Sequence, residues 1–230
     1  MTATVIPLPA PTCLPVRGGD ALFPVRRIYC VGRNFADHAK EMGATVDRGN
    51  PVFFMKPGDA IVAGGGRVPY PPGTRDLHHE VELIVALGRD ADGEVAVEDA
   101  PALVFGYGVG LDLTRRDLQA NAKAKGLPWD TAKGFDHSAP ASELVPASTA
   151  GDLSTRTLSL EVNGELRQQA RLDTMVFTVA EVLHELSKLY ALKAGDLVFM
   201  GTPAGVAALV PGDRFHARVE GLLALEGHIA

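Results

Sequence analysis

His78-His79-Glu80-Val81-Glu82-Leu83-Ile84-Val85-Ala86-Leu87-Gly88 reads as a β-strand over Glu80 to Leu87. Its β-branched residues favour extended backbone, and Gly88 ends it. Val81, Leu83 and Val85 alternate with Glu80, Glu82 and Ile84, which assigns one face to a core. Ile84 and Ala86 continue the glutamate face as apolar surface, which points to a cleft rather than bulk water. Residues i and i+2 of a strand share a face roughly 6.6 Å apart, so the two glutamates project together. Two carboxylates about 4 Å apart repel by ~4 kcal/mol at an effective dielectric near 20. Water, a cationic side chain, a shared proton or a metal must compensate. An all-oxygen donor set suits Mg²⁺, Mn²⁺ or Ca²⁺; an acidic strand edge facing solvent is the alternative.

Outward from this strand, Arg27 to Val31 reads as another. Gly32-Arg33-Asn34 turns into an amphipathic segment, Phe35 to Met42, that Gly43 ends. Pro51 to Met55 is a strand followed by a Lys56-Pro57-Gly58-Asp59 turn. Tyr107 to Leu113 is a strand, after which Thr114 reads as an N-cap with Asp117 as box-like partner. That helix runs to about Lys125, where Gly126 and Pro128 stop it. Leu158 to Val162 and Glu165 to Gln169 flank Asn163-Gly164, a type I′ hairpin signal. Thr178 and Glu181 form a capping box for a helix whose Val179, Val182, Leu183, Leu186 and Tyr190 share one face. Leu197 to Met200 is a strand, Gly201-Thr202-Pro203 turns, and two short strands close the chain around Gly212-Asp213. Strands outnumber helices without alternating one-for-one with them, so the fold class is α+β, mainly β. Residues 1–25, broken by Pro7, Pro9, Pro11 and Pro15, read as an N-terminal arm, and residues 26–230 as a single catalytic domain.

The 230 residues are 46% hydrophobic and 22% charged, enough for a full core, with net charge −6. The acidic balance and the lack of a basic run exclude nucleic acid as a partner. An anionic substrate would need local cations or a metal to bind such a chain. Cys13 and Cys30 form no CxxC pair, which excludes a thiolate zinc site. No apolar run reaches membrane-span length, and the N-terminus lacks the regions of a secretory signal. The expected location is cytoplasmic, with no membrane partner.

Asp112, at the end of an apolar strand, is the natural third carboxylate; support for the following helix is the competing reading. His38 and Glu41 lie three apart in a helical turn, so the carboxylate could orient the imidazole as a general base, unless they are only a surface pair. Lys133 lies among Trp129, Phe135 and other apolar neighbours. It is either a snorkelling surface residue or a desolvated cation placed to hold an oxyanion. His78 and His79 could be ligands, helpers or neither; His184 reads as a surface residue.

Cys30 to His38, His78 to Glu82, Leu111 to Gln119, Lys125 to Trp129 with Ala132-Lys133, Val162 to Glu165 and Gly201 to Val206 together resemble the fumarylacetoacetate hydrolase family. The resemblance spans about residues 26–228, in family order, and is strongest to the short acylpyruvate and fumarylpyruvate hydrolase branch. It implies a mixed β-roll, a homodimer and a small keto-acid substrate. It implies Mg²⁺ or Mn²⁺ on Glu80, Glu82 and Asp112, and water activation by His38 and Glu41. Lys133, Gln119 and Thr202 would line the substrate pocket, and Arg33 would meet an anion. The implied reaction is hydrolysis of a carbon–carbon bond in an acylpyruvate such as fumarylpyruvate. Decarboxylation of an oxaloacetate-like acid or isomerisation of a keto acid would use the same site. A non-catalytic keto-acid-binding protein is the alternative of another class.

Overall fold

Val81–Leu87 is buried along its whole length, because apart from Glu82 both faces of this strand are apolar and each meets its own core. Val81, Leu83, Val85 and Leu87 enter the larger core. Ile84 and Ala86 enter a second one with Ile28, Cys30 and Phe199. The computed structural model describes residues 4–41, 43 and 47–230. Met42, expected at the end of the segment from Phe35, lies outside the described residues.

The strand sits mid-way in an eight-stranded mixed sheet. The order is Val52–Lys56, Ile28–Gly32, Leu197–Phe199, Val81–Leu87, Val104–Leu111, Ala139–Ala141 and Ile61–Ala63, with Val145–Pro146 also paired to Val104–Leu111. Leu197–Phe199 runs parallel to Ile28–Gly32 and Ala139–Ala141 parallel to Ile61–Ala63; the other pairings are antiparallel. A second sheet of five strands orders Glu165–Arg171, Thr157–Val162, Arg214–Val219, Leu223–Ile229 and Gly66–Val68. Its inward residues, Leu158, Leu160, Phe215, Ala217 and Leu225, share the larger core with Leu83, Val85 and Val109. The result is a mainly β, mixed β-roll. Helix Val179–Leu189 buries Val182, Leu183 and Leu186 against it, and both bonds of the Thr178–Glu181 capping box are formed. The Asn163-Gly164 turn has φ of 54° and 80°, with Val162 paired to Glu165, as a type I′ hairpin requires.

Within the expected arm, Cys13–Pro15 pairs antiparallel with Leu22–Pro24. Leu14 and Phe23 reach the second core. Among the described residues no helix is long and apolar enough to cross a membrane.

Four local expectations are corrected. Thr114 is not an N-cap: it pairs with His78 in a short strand, and its hydroxyl donates to the Asp112 carbonyl. Helix Arg116–Lys125 starts after Arg115, which makes no side-chain cap, and ends at left-handed Gly126 as expected. Lys56 is not in a turn; it is the buried last residue of Val52–Lys56. The two closing strands after Gly212-Asp213 are six and seven residues long, because each covers the larger core. His184 is half-buried, with Nδ1 2.7 Å from the Val95 carbonyl oxygen.

Candidate active site

Strand register brings the three carboxylates together. Val81 pairs with Leu111 and Glu82 with Gly110, so Glu80 and Asp112 are next along the same ladder. The Asp112 N–H donates to the Glu80 carbonyl at 2.8 Å. Glu80, Glu82 and Asp112 each offer an oxygen within 4.8 Å of the others, and all three are buried.

Cations meet part of this charge. Lys133 Nζ donates to Glu80 Oε2 at 2.7 Å and to Asp112 Oδ2 at 2.6 Å. Arg116 donates to the other Glu80 oxygen at 2.5 Å. Lys56 Nζ lies 2.8 Å from Asp112 Oδ1, but off the hydrogen-bonding direction, so this oxygen keeps an unfilled acceptor position. Burial would push Glu80 up, yet Lys133, Arg116 and His38 hold it below the usual carboxylate range. Burial would strip a proton from Lys133, yet Asp112 and Glu80 keep it charged. Glu82 has no such partner. Burial, then the charges of Asp112 and Glu80, push it well above the usual range, against the charge of Lys133 and one hydrogen bond from the Gly201 N–H at 2.7 Å. Surplus negative charge in an oxygen-only set, with an unfilled acceptor on Asp112, fits a hard divalent cation.

Other segments close the cavity above the carboxylates. Arg33, His38, Glu80, Glu82, Gln119, Lys133 and Thr202 all line it. Asp112 backs onto it through Lys133. Glu41 stands behind His38, with Oε2 3.2 Å from Nδ1. The Gly205 N–H donates to the Glu41 carboxylate at 3.1 and 3.2 Å. Gly205 has φ of +99°, and a Cβ there would lie 2.1 Å from the Arg167 carbonyl oxygen, so only glycine serves. Thr202 follows the Leu197–Phe199 strand, which pairs with Val81–Leu87, and its hydroxyl accepts from buried Gln168 at 2.8 Å. The structure thus gathers all nine expected site residues. His78 and His79 are not among the three grouped carboxylates. His78 Nε2 lies 2.8 Å from Asp76 Oδ1 and His79 Nδ1 2.9 Å from Gln168 Oε1, and burial is the first cause that lowers both pKa values.

Several functional residues were not singled out from sequence. Arg116 bridges Glu80 and Gln119, the latter at 2.7 Å; its place four residues after Asp112, on the first helical turn, was the available signal. Lys56 was hidden by the turn reading, although alternation from Val52 through Phe54 would have put it on the Phe54 face. Gln168 accepts from the Val81 N–H at 3.1 Å and donates to Thr202 and to the Pro203 carbonyl. It ties the Gly201-Thr202-Pro203 loop to the glutamate strand from the far sheet, and nothing local marks it. Lys123, Phe54 and Trp129 also line the cavity.

A crystal structure of fumarylpyruvate hydrolase from Pseudomonas aeruginosa in complex with Mn²⁺ and pyruvate is 44% identical, superposes with a TM-score of 0.95, and is covered over 99% of both chains. The mitochondrial oxaloacetate tautomerase FAHD1 of Rattus norvegicus is 44% identical over 202 residues, 87% of this chain and 90% of that protein. The oxaloacetate tautomerase YcgM of Escherichia coli strain K12 is 42% identical over 200 residues, 86% and 90% of the two chains. Residues 27–230 match the fumarylacetoacetate hydrolase C-terminal family model, and the chain belongs to that family of enzymes.

Proposed function

We propose that this protein is a metal-dependent acylpyruvate hydrolase that splits fumarylpyruvate into fumarate and pyruvate. The observation that carries this reading is the His38–Glu41 pair on the same cavity as Glu80, Glu82, Asp112 and Lys133. Isomerising a keto acid needs no attacking water, whereas hydrolysis does. A base oriented by a carboxylate supplies the activation. The Mn²⁺ and pyruvate in the Pseudomonas aeruginosa relative support both the metal and the keto-acid end.

Glu80, Glu82 and Asp112 would hold Mg²⁺ or Mn²⁺. When bound, the metal supplies Lewis-acid polarisation of the 2-keto acid end. With Nδ1–H turned to Glu41, the other His38 nitrogen is free to take a proton from water. That water adds to the carbonyl of the acyl arm. Lys133, kept charged by its carboxylate partners, donates to the oxygen on which negative charge develops. The bond between this carbon and the neighbouring methylene then breaks. Its electron pair passes to the pyruvate fragment, whose methylene takes up the proton that His38 removed from water. Arg116, Gln119 and Thr202 hold the substrate carboxylate, and a homodimer in solution is expected.

The tautomerase relatives favour a second reading, keto–enol interconversion of oxaloacetate. Incubating the purified protein with fumarylpyruvate, with Mg²⁺ or with excess chelator, separates the two. Metal-dependent, equimolar pyruvate and fumarate that His38→Ala abolishes is the expected result. Oxaloacetate tautomerisation without cleavage of fumarylpyruvate would overturn the hydrolase reading.

A further inference from the structure

Of the cations at this site, Lys133, Arg116 and Lys56 have carboxylate partners. Arg33 and Lys123 also line the cavity, yet among the described residues neither forms an ion pair. Lys123 Nζ lies 5.2 Å from the Trp129 ring centroid. The Trp129 ring stands 5.9 Å from that of Phe54, and Phe54 lies 4.9 Å from Lys133 Nζ. The wall therefore runs from a cation beside the carboxylates, along two aromatic rings, to a second cation. Arg33 is held at the same cavity by an unusual backbone: its φ is 61°, a left-handed value that costs a non-glycine residue. The next residue, buried Asn34, pins the turn through three hydrogen bonds to Phe177 and Met200 backbone. Burial, then Arg116, with Arg33 and Lys133 adding to it, lowers the Lys123 pKa, while Glu80 alone opposes them. The like charge is left for an anion to relieve.

We infer that Lys123 and Arg33 form a subsite for a second carboxylate at the far end of the acyl arm. The substrate class is then a 2,4-diketo acid whose flat, unsaturated acyl chain ends in a carboxylate. Resting on the hydrolase reading, this assigns each part of the arm a partner. The reacting carbonyl meets Lys133, the planar carbons lie along Phe54 and Trp129, and the terminal carboxylate meets Lys123 and Arg33. A neutral arm such as that of acetylpyruvate leaves both cations unmatched.

Two readouts test it on wild type, Lys123→Met and Lys123→Arg. The first is the ratio of kcat/KM for fumarylpyruvate to that for acetylpyruvate. The second, independent of turnover, is calorimetric binding of fumarate and of crotonate in the presence of Mn²⁺ and pyruvate. Crotonate has the same flat chain with one carboxylate fewer. Wild type is expected to bind fumarate about tenfold or more tighter than crotonate, the scale of one charge-assisted contact. Lys123→Met should shrink both the binding preference and the kinetic ratio by about that factor, and Lys123→Arg should retain most of each. Equal binding of the two acids by wild type, or a preference that Lys123→Met leaves intact, would overturn the subsite. Failure to cleave either diketo acid would overturn the hydrolase reading instead, and the binding preference would still decide the subsite.

Discussion

Lys56→Met should destabilise the metal-free protein by several kcal/mol. Lys56 is 1% exposed. Its Nζ stands 2.8 Å from Asp112 Oδ1, donates to the Leu113 carbonyl at 3.1 Å and donates also to the Lys133 carbonyl. It therefore holds the third carboxylate and the backbone beneath the second lysine. Methionine nearly conserves volume, so the cavity contribution is small. What remains is the loss of one partner from a buried ion pair, ~3–5 kcal/mol when the other charge stays behind. Lys133 still faces the other Asp112 oxygen, which favours the lower end. For a chain of this length about 1 kcal/mol moves the unfolding midpoint by roughly 2–4 °C. The expected fall is about 6–20 °C, measured by circular dichroism in excess chelator. Saturating Mn²⁺ should narrow the gap, because a cation on Asp112 replaces the lost charge in the variant and so stabilises it more than wild type. A chelator midpoint within about 2 °C of wild type, less than 1 kcal/mol at this size, would refute the structural reasoning.

Glu82→Gln should act in the opposite direction on the metal-free fold. Because the folded carboxyl is held well above its ordinary 4.5, the folded state binds the extra proton. Stability then falls as pH rises from about 4.5 towards the folded pKa. A neutral amide at this position removes that loss, so midpoints in chelator should converge near pH 4.5 and favour the variant at pH 8, while calorimetry shows Mn²⁺ uptake lost; a variant less stable than wild type at pH 8 would contradict this. Gly205→Ala should lower kcat more than it raises KM, because the loop must move away from the Arg167 carbonyl and withdraw its N–H from Glu41; unchanged steady-state kinetics would count against the anchoring role. Gln168→Leu should cost ~1–3 kcal/mol through unpaired Val81 and Pro203 backbone groups and raise KM through Thr202, read by urea unfolding and initial rates together.

The fold was legible where a local rule coincided with the tertiary one. Alternation over Val81–Leu87 survives because two different cores take the two faces. The Asn163-Gly164 turn and the Thr178–Glu181 box are set by φ and by side chains three residues apart. Thr114 failed as a cap because the ladder claimed its backbone first. Pairing with His78 keeps that segment extended through Arg115, and the helix begins only at Arg116.

The carboxylates and the cations differ in legibility for the same reason. Glu80 and Glu82 obey a period of two, and Asp112 needs only the one neighbouring strand that register supplies. Lys56 comes from the outermost strand of the sheet, three places from Val81–Leu87, and Lys133 from a four-residue helix after Trp129. Long side chains bring such residues together without a shared spacing, so composition predicts only that cations must be present: an acidic chain binding an anion has to gather them locally. The structure shows where they gathered. Lys133, Arg116 and Lys56 neutralise Glu80 and Asp112, while Glu82 is left with a single backbone donor. The surplus charge at the centre thus belongs to one of the two glutamates that the strand period marks together, and the surplus cations, Arg33 and Lys123, lie along the same cavity on residues no period connects.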